Sequence, residues 1–243
     1  MEKTIRKPSF REVVAVTTMN LDDYGLQFNA QRVGPMNFAG LRQANYGEGF
    51  RMPTMPELIP LVYASLENRD YATAKNVIGT LKQYLLTGNT SEHYFSEGMF
   101  VQDNPEMEDG RIATPDLKAL EARLGSHEER GVIFSDDRKV RFTPYGFKRE
   151  VQSALDLATN SGVIAFAGGE EKAEMLAKAS EHYRQNPYFW TLTDVKQPQT
   201  RVAGLGSDGF DGSLDVGAGS SVGNGRYSFG VSEAKKQEAE GKK

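Results

Sequence analysis

From Gly204 to Gly230 the chain carries nine glycines, yet Leu205, Phe210, Leu214, Val216 and Val222 persist among them. Arg226-Tyr-Ser-Phe-Gly-Val231 follows as an aromatic, strand-like finish. A flexible Gly/Ser linker has no reason to keep apolar anchors. A folded segment with large residues turned inward and small ones outward has this composition. The end of the chain therefore predicts a fixed framework whose other positions are small and replaceable, because in a strand alternate side chains face opposite sides.

Around that segment the chain has the means for one sizeable core. It has 243 residues, 38% hydrophobic and 26% charged, which is the range of an ordinary folded domain. With a net charge of -4 and the two signs interspersed, it lacks the clustered Lys and Arg of a general nucleic-acid binder. Cysteine is absent, which removes disulfides, thiol nucleophiles and Cys-ligated metals without fixing the compartment. No apolar run reaches membrane-spanning length, and Met1 to Phe10 has basic residues without a signal-type hydrophobic stretch. A cytoplasmic location is expected, with surface display by another route left open.

Local signals predict alternating elements. Val13–Thr18 reads as a first strand. Thr54-Met-Pro-Glu57 places a hydroxyl at an N-cap and a carboxylate three residues on, opening a helix with Leu58, Ile59, Leu61, Val62 and Leu66 on its buried face. A second helix is expected over 70–86, ended by Gly88-Asn89. Asp103 to Gly110 reads as an exposed acidic loop, and Thr114-Pro115 as the start of a short helix. Strands are expected at 131–134 and 139–142, a helix over 148–159, a buried strand over 163–167 and a helix over 170–185. The β-rich end comprises 189–192, 200–203, the glycine-rich segment and 227–231. Residues 232–243 are charged, have no apolar face, and read as a disordered tail.

Chemical sites find little footing in these patterns. Gly168-Gly169 precedes a helix as in phosphate-binding turns, but Glu170 and Glu171 would repel a phosphate. His93, His127 and His182 lie far apart, so no zinc site is expected. Asp208, Asp211 and Asp215 alternate with glycines but do not follow the twelve-residue calcium-loop order, so solvated turn residues are expected. No cofactor is expected.

The segment Gly49-Phe-Arg-Met-Pro-Thr-Met-Pro-Glu-Leu58 resembles the helix-initiating motif of C-type-lectin-like folds of the formylglycine-generating-enzyme type. Tyr188-Phe-Trp-Thr-Leu-Thr193 and Arg226–Val231 are similar to two of their core strands. The resemblance implies an α+β, C-type-lectin-like domain over 1–231, with neighbouring termini and a loop-rich ligand surface. Residues 68–185 would be a long, largely helical central insertion or a separate helical subdomain. The oxidase members of that superfamily depend on cysteines, so this chain resembles instead the binding branch, and in particular the variable proteins of diversity-generating retroelements.

In such proteins codons near the 3′ end of the gene are rewritten on a lectin-like scaffold, and the segment from Gly206 to Gly225 matches in position and style. The ligand-binding positions implied run through Gly206, Asp208, Gly209, Asp211, Gly212, Ser213 and Asp215. They continue through Gly217, Gly219, Ser220, Ser221, Gly223, Asn224 and Gly225. The expected partner is a protein or other macromolecule, with no catalysis. Few aromatics fall in the segment, which predicts weak binding in this copy, because paratopes draw contact area from tyrosine and tryptophan. Two other readings stand beside this one. One is an enzyme with a carboxylate such as Glu57 or Asp194 between the central stretch and the β-rich end. The other is a structural or assembly role for a fixed, glycine-rich sheet.

Overall fold

The computed structural model describes residues 11–12, 18–193, 195–207 and 212–234. Most of residues 13–18, Asp194, Phe210 and the tail from residue 235 lie outside that set. The early strands are β1 (Arg11–Glu12), β2 (Thr18–Leu21) and β3 (Leu26–Met36). After them come the helices α1 (Phe38–Gln43), α2 (Met55–Glu67) and α3 (Ala72–Gln83). The middle holds β4 (Leu85–Tyr94), β5 (Gly98–Asp103), the small hairpin β6 (Met107–Glu108) and β7 (Arg111–Ile112), and the short helix α4 (Leu117–Glu121). Next are β8 (Leu124–Glu129), β9 (Val132–Ser135), β10 (Val140–Pro144) and β11 (Glu150–Val151). The helices α5 (Ala154–Thr159), α6 (Ser161–Ala167) and α7 (Glu170–Ser180) precede β12 (Tyr188–Trp190), β13 (Gln199–Ser207), β14 (Leu214–Gly219) and β15 (Arg226–Glu233).

The main path of the sheet runs β1-β2-β3-β15-β4-β13-β14-β12-β11, with β5, β10, β9 and β8 continuing from β4. The last strand thus lies between β3 and β4, antiparallel to the first and parallel to the second. Ala234 N–H donates to the Gly25 carbonyl at 2.9 Å, so the last described residue meets the turn that opens β3. Helices α2, α6 and α7 pack on one sheet face through Leu58, Ile59, Ile164, Phe166 and Leu176, against Phe28, Leu86, Phe189, Leu205, Val216 and Phe229. Each such buried apolar side chain contributes about 1.5–3 kcal/mol. A smaller cluster of Phe38, Leu41, Tyr46, Met52 and Val202 forms separately, and alternation along β13 puts Val202 on the opposite face from Ala203.

Helix α2 starts where its sequence predicts. The Thr54 N–H and hydroxyl both donate to Glu57 Oε2, at 2.8 and 2.9 Å. Arg51 grips the same carboxylate at 2.9 and 2.6 Å. Burial opposes its ionisation, but the Arg51 and Thr54 contacts prevail and lower the Glu57 pKa. Arg51 also exchanges backbone hydrogen bonds with Val231, at 3.0 and 2.8 Å, so the segment that leads into α2 and the last strand are physically joined.

Several expectations are corrected, each for a local reason. Gly88 and Asn89 do not end α3, which stops at Gln83; they sit inside β4. A Cβ on Gly88 would lie 2.6 Å from the Met55 nitrogen, so the glycine lets the start of α2 press against the strand. Residues 163–167 form α6, not a strand; Asn160 caps it by accepting from Gly162 N–H, and Gly168 closes it at φ 81°. A short apolar run does not distinguish the two states, and the caps decide. The helix expected from 148 begins only at Ala154, because 150–151 pair with β12 and Ser153 supplies the N-cap. The helix expected to run to 185 ends at Ser180. Asp116, not Thr114, caps α4.

The acidic stretch is not a plain loop either. Asp103 is buried and bound twice by Arg141, at 2.5 and 3.1 Å. Asp109 and Gly110, at φ 48° and 73°, form the tight turn of the β6–β7 hairpin, the conformation that favours Asp-Gly. Residues 68–185 are woven into the sheet rather than set apart as helices: they carry α3 to α7 but also β4, which pairs with β15, β13 and β5.

Candidate functional site: the outer face of the C-terminal sheet

Strands β12 and β14 run parallel, with Phe189 opposite Val216 and both fully buried. Alternation sends their neighbours to the other face, where Tyr188 pairs with Asp215 and Trp190 with Gly217. Trp190, the one tryptophan of the chain, is 57% exposed. Beside it on edge strand β11, Val151 is equally exposed. Together with Gln185, Asn186 and Ser213, these residues line an open cleft of about 520 Å³. The Ser213 hydroxyl donates to Asp215 Oδ1 at 3.1 Å.

The loop between β14 and β15 follows directly on the strand that carries Asp215. Its backbone is held from within: the Ser221 carbonyl accepts from Phe38 N–H at 3.3 Å, and the Ser220 carbonyl accepts from Arg226 Nη2 at 2.6 Å. Arg226 is buried and reaches the Thr87 hydroxyl with Nη1 at 3.2 Å. Burial lowers its pKa to about 10. With the loop pinned this way, Ser220, Val222, Gly223 and Asn224 are left facing solvent. Val222, expected as an apolar anchor, is instead 60% exposed.

The glycines divide into two kinds. A Cβ on Gly217 would lie 2.2 Å from the Trp190 carbonyl oxygen, and one on Gly219 would lie 2.9 Å from Arg226 Nη2. Gly225 has open space but a φ of 117°, which L residues rarely adopt. By contrast, Cβ atoms on Gly206 and Gly223 would meet neighbours no closer than 3.7 Å. Gly206, Gly212 and Gly217 are buried, whereas Ser213, Asp215, Gly219, Ser221 and Gly225 are partly exposed. The small residues of the segment are therefore not one exposed set. Asp208, Gly209 and Asp211 lie outside the described residues.

Sequence reasoning missed Trp190, Tyr188 and Val151. The available signal was three consecutive aromatics in one strand: if Phe189 packs inward, its two neighbours must face the other side. The expectation of a surface poor in aromatics came from counting only within the segment, whereas parallel pairing brings Tyr188 and Trp190 alongside it.

The other candidate groups are accounted for by the fold. Glu57 serves as cap and ion-pair partner, and Asp194 lies outside the described residues. Glu92 is fully enclosed, and burial raises its pKa to about 7 against the favourable hydrogen bond from Tyr94. His93 is buried between the hydroxyls of Ser91 and Thr200, at 2.7 and 3.0 Å. His127 contacts Glu129 at 2.9 Å, and His182 contacts Glu67 at 2.8 Å. Among the described residues no group of three His, Asp or Glu is placed to hold a metal ion, and no helix is long and apolar enough to cross a membrane.

No protein-family model and no curated protein matches the chain. It is similar to a solved structure reported as "Accommodation of massive sequence variation in Nanoarchaeota by the C-type lectin fold". The two align over 83% of this chain and 96% of the other, with a TM-score of 0.55 and 20% identity. The fold is that of a C-type lectin. Within this C-type lectin fold, the described parts of the glycine-rich segment form β14, the end of β13 and the loop before β15.

Proposed function

We propose that this protein is a non-catalytic binding protein that presents a variable surface to a protein or other macromolecular ligand. The observation that carries the reading is the separation of roles within one segment. Leu214, Val216, Gly217 and Arg226 are fixed by packing or close backbone approach, while Ser213, Asp215, Ser220, Val222, Gly223 and Asn224 are wholly or partly exposed, the first two in the cleft that Trp190 lines. The second set can change with little cost in stability, since surface substitutions away from special features stay within about 0.5 kcal/mol. Trp190 and Tyr188 supply contact area that does not depend on the changing positions.

The solved structure with the same fold is reported in connection with massive sequence variation, which supports carrying variability over to this scaffold. We further propose that a diversity-generating retroelement introduces the variation. Deep sequencing of the 3′ end of the gene across a population of the source organism tests this. Substitutions concentrated at the exposed positions, with Leu214, Val216, Gly217 and Arg226 constant, are expected. Substitutions equally rare at both sets would overturn the proposal.

A further inference from the structure

Gly168 and Gly169, which precede α7 as glycines do in phosphate-binding turns, are closed by the protein's own carboxylate. Glu129 reaches from β8 to accept from Glu170 N–H at 2.8 Å, and Arg138 Nη2 binds the same carboxylate at 2.6 Å. A Cβ on Gly169 would lie 2.8 Å from Arg138 Nη2 and 3.1 Å from Glu129 Oε2, so the bare glycine lets this pair close over the helix start. A cleft of about 530 Å³ remains beside it, lined also by Glu171, Lys172 and Glu174 of α7.

Lys172 stands apart from the other groups of that wall. Glu129 and Arg138 hold each other, and Glu170 holds Arg130 at 3.0 Å. The partly buried Lys172 amine makes no hydrogen bond and no ion pair among the described residues. It is the third residue of α7, where the helix dipole favours an anion and opposes a cation. Burial lowers its pKa, Arg141 and Arg138 add to the effect, and Glu171 and Asp103 oppose it. An ammonium that is desolvated and unpaired gives up its proton more readily, and the neutral amine left behind is a nucleophile.

We propose that Lys172 captures small uncharged aldehydes in this cleft as a reversible imine. The nitrogen lone pair adds to the carbonyl carbon and a C–N bond forms. The carbonyl oxygen then leaves with the two amine protons as water, so no oxidant or reductant is consumed. Glu171 and Glu174 line the same cleft without an ion pair among the described residues, and carboxyl groups so placed can carry protons during the loss of water. The same carboxylates repel anionic electrophiles such as acyl phosphates, which leaves uncharged carbonyl compounds as the class that fits. The volume is that of a small-molecule site.

Treatment of the full folded chain with butanal and cyanoborohydride near pH 7, followed by peptide mass spectrometry, tests the proposal, because reduction fixes the imine as a secondary amine. Labelling of Lys172 is expected to exceed that of the exposed Lys118 and Lys196 by about tenfold or more, since a desolvated lysine presents more free amine. The preference should vanish when the chain is unfolded in guanidinium chloride. Glyoxylate, an anionic aldehyde, should label Lys172 no better than it labels Lys118. Equal labelling of Lys172 and the exposed lysines by butanal, a preference that survives unfolding, or a preference that glyoxylate shares would each overturn it.

Discussion

Trp190 and Gly217 face each other across two parallel strands so closely that a Cβ on the glycine would sit 2.2 Å from the tryptophan's carbonyl oxygen. The exposed ring of Trp190 thus stands on a strand whose neighbour is barred from carrying a side chain. Gly217→Ala should destabilise the protein by about 2–3 kcal/mol, because overpacking forces backbone to move. Asn224→Ala, in the same segment and exposed, should change stability by less than about 0.5 kcal/mol. Urea denaturation of the two variants measures both. Equal effects would mean that the segment has no division between framework and surface.

Arg226 and Gly219 should be energetically coupled. A methyl at 219 would meet Arg226 Nη2 at 2.9 Å, displacing the guanidinium from the Ser220 carbonyl and freeing the loop. Gly219→Ala is expected to cost about 1 kcal/mol in the native background and close to nothing once Arg226 is replaced by Ala. Amide exchange from Ser221 to Gly225 should accelerate in Arg226→Ala. Simple additivity in the double-mutant cycle would rule out this account of the loop.

Trp190 provides an optical report on the proposed surface without labelling. As the one tryptophan of the chain and 57% exposed, it should emit at long wavelength and be quenched efficiently by iodide. A macromolecular ligand seated on this face should shift the emission to the blue and protect it from the quencher. A ligand that binds while leaving the spectrum unchanged would place recognition elsewhere. Trp190→Ala should weaken capture at least tenfold while changing stability little, since its ring is largely outside the core.

Two buried groups on β4 give stability opposite slopes with pH. Burial raises the Glu92 pKa from its ordinary 4.5 to about 7, so the folded state holds a proton that the unfolded chain releases. Stability from this group is full below about pH 4.5 and is lost as pH rises toward 7. Burial lowers the His93 pKa from 6.5 to about 4, so the unfolded chain takes up a proton that the fold excludes. That contribution is full above about pH 6.5 and is lost as pH falls toward 4. Melting temperatures of Glu92→Gln and the native protein should therefore diverge in favour of the variant between pH 5 and 7.5, by thermal denaturation at fixed ionic strength. Parallel curves would show that Glu92 does not titrate in this window.

How much of this could be read from residues depended on whether the signal was local. The Thr54–Glu57 cap, the buried face of α2 and the inward Leu214 and Val216 follow from neighbours in sequence, and each was legible. Gly88 was misread because its reason is the amide of Met55, brought near only by the docking of α2 on β4. The run 163–167 was misread because apolar residues alone fit either state, and the deciding Asn160 cap is a single side chain. On the candidate surface, sequence pointed to the right segment but treated its glycines alike. The difference between Gly217 and Gly223 lies in what stands next to them, and for Gly217 that is the backbone of Trp190 on the paired strand, from a separate part of the chain.

The position of β15 between β3 and β4 makes the final strand the keystone of the whole sheet. The sheet cannot close until residues 226–233 dock between strands that precede them by many residues, so the early and middle parts of the sheet are joined only by this late contact. Any shift of reading frame within the glycine-rich codons would replace that strand and leave the sheet in two halves. A product in which the frame was lost before that strand would therefore be discarded as an unfolded chain.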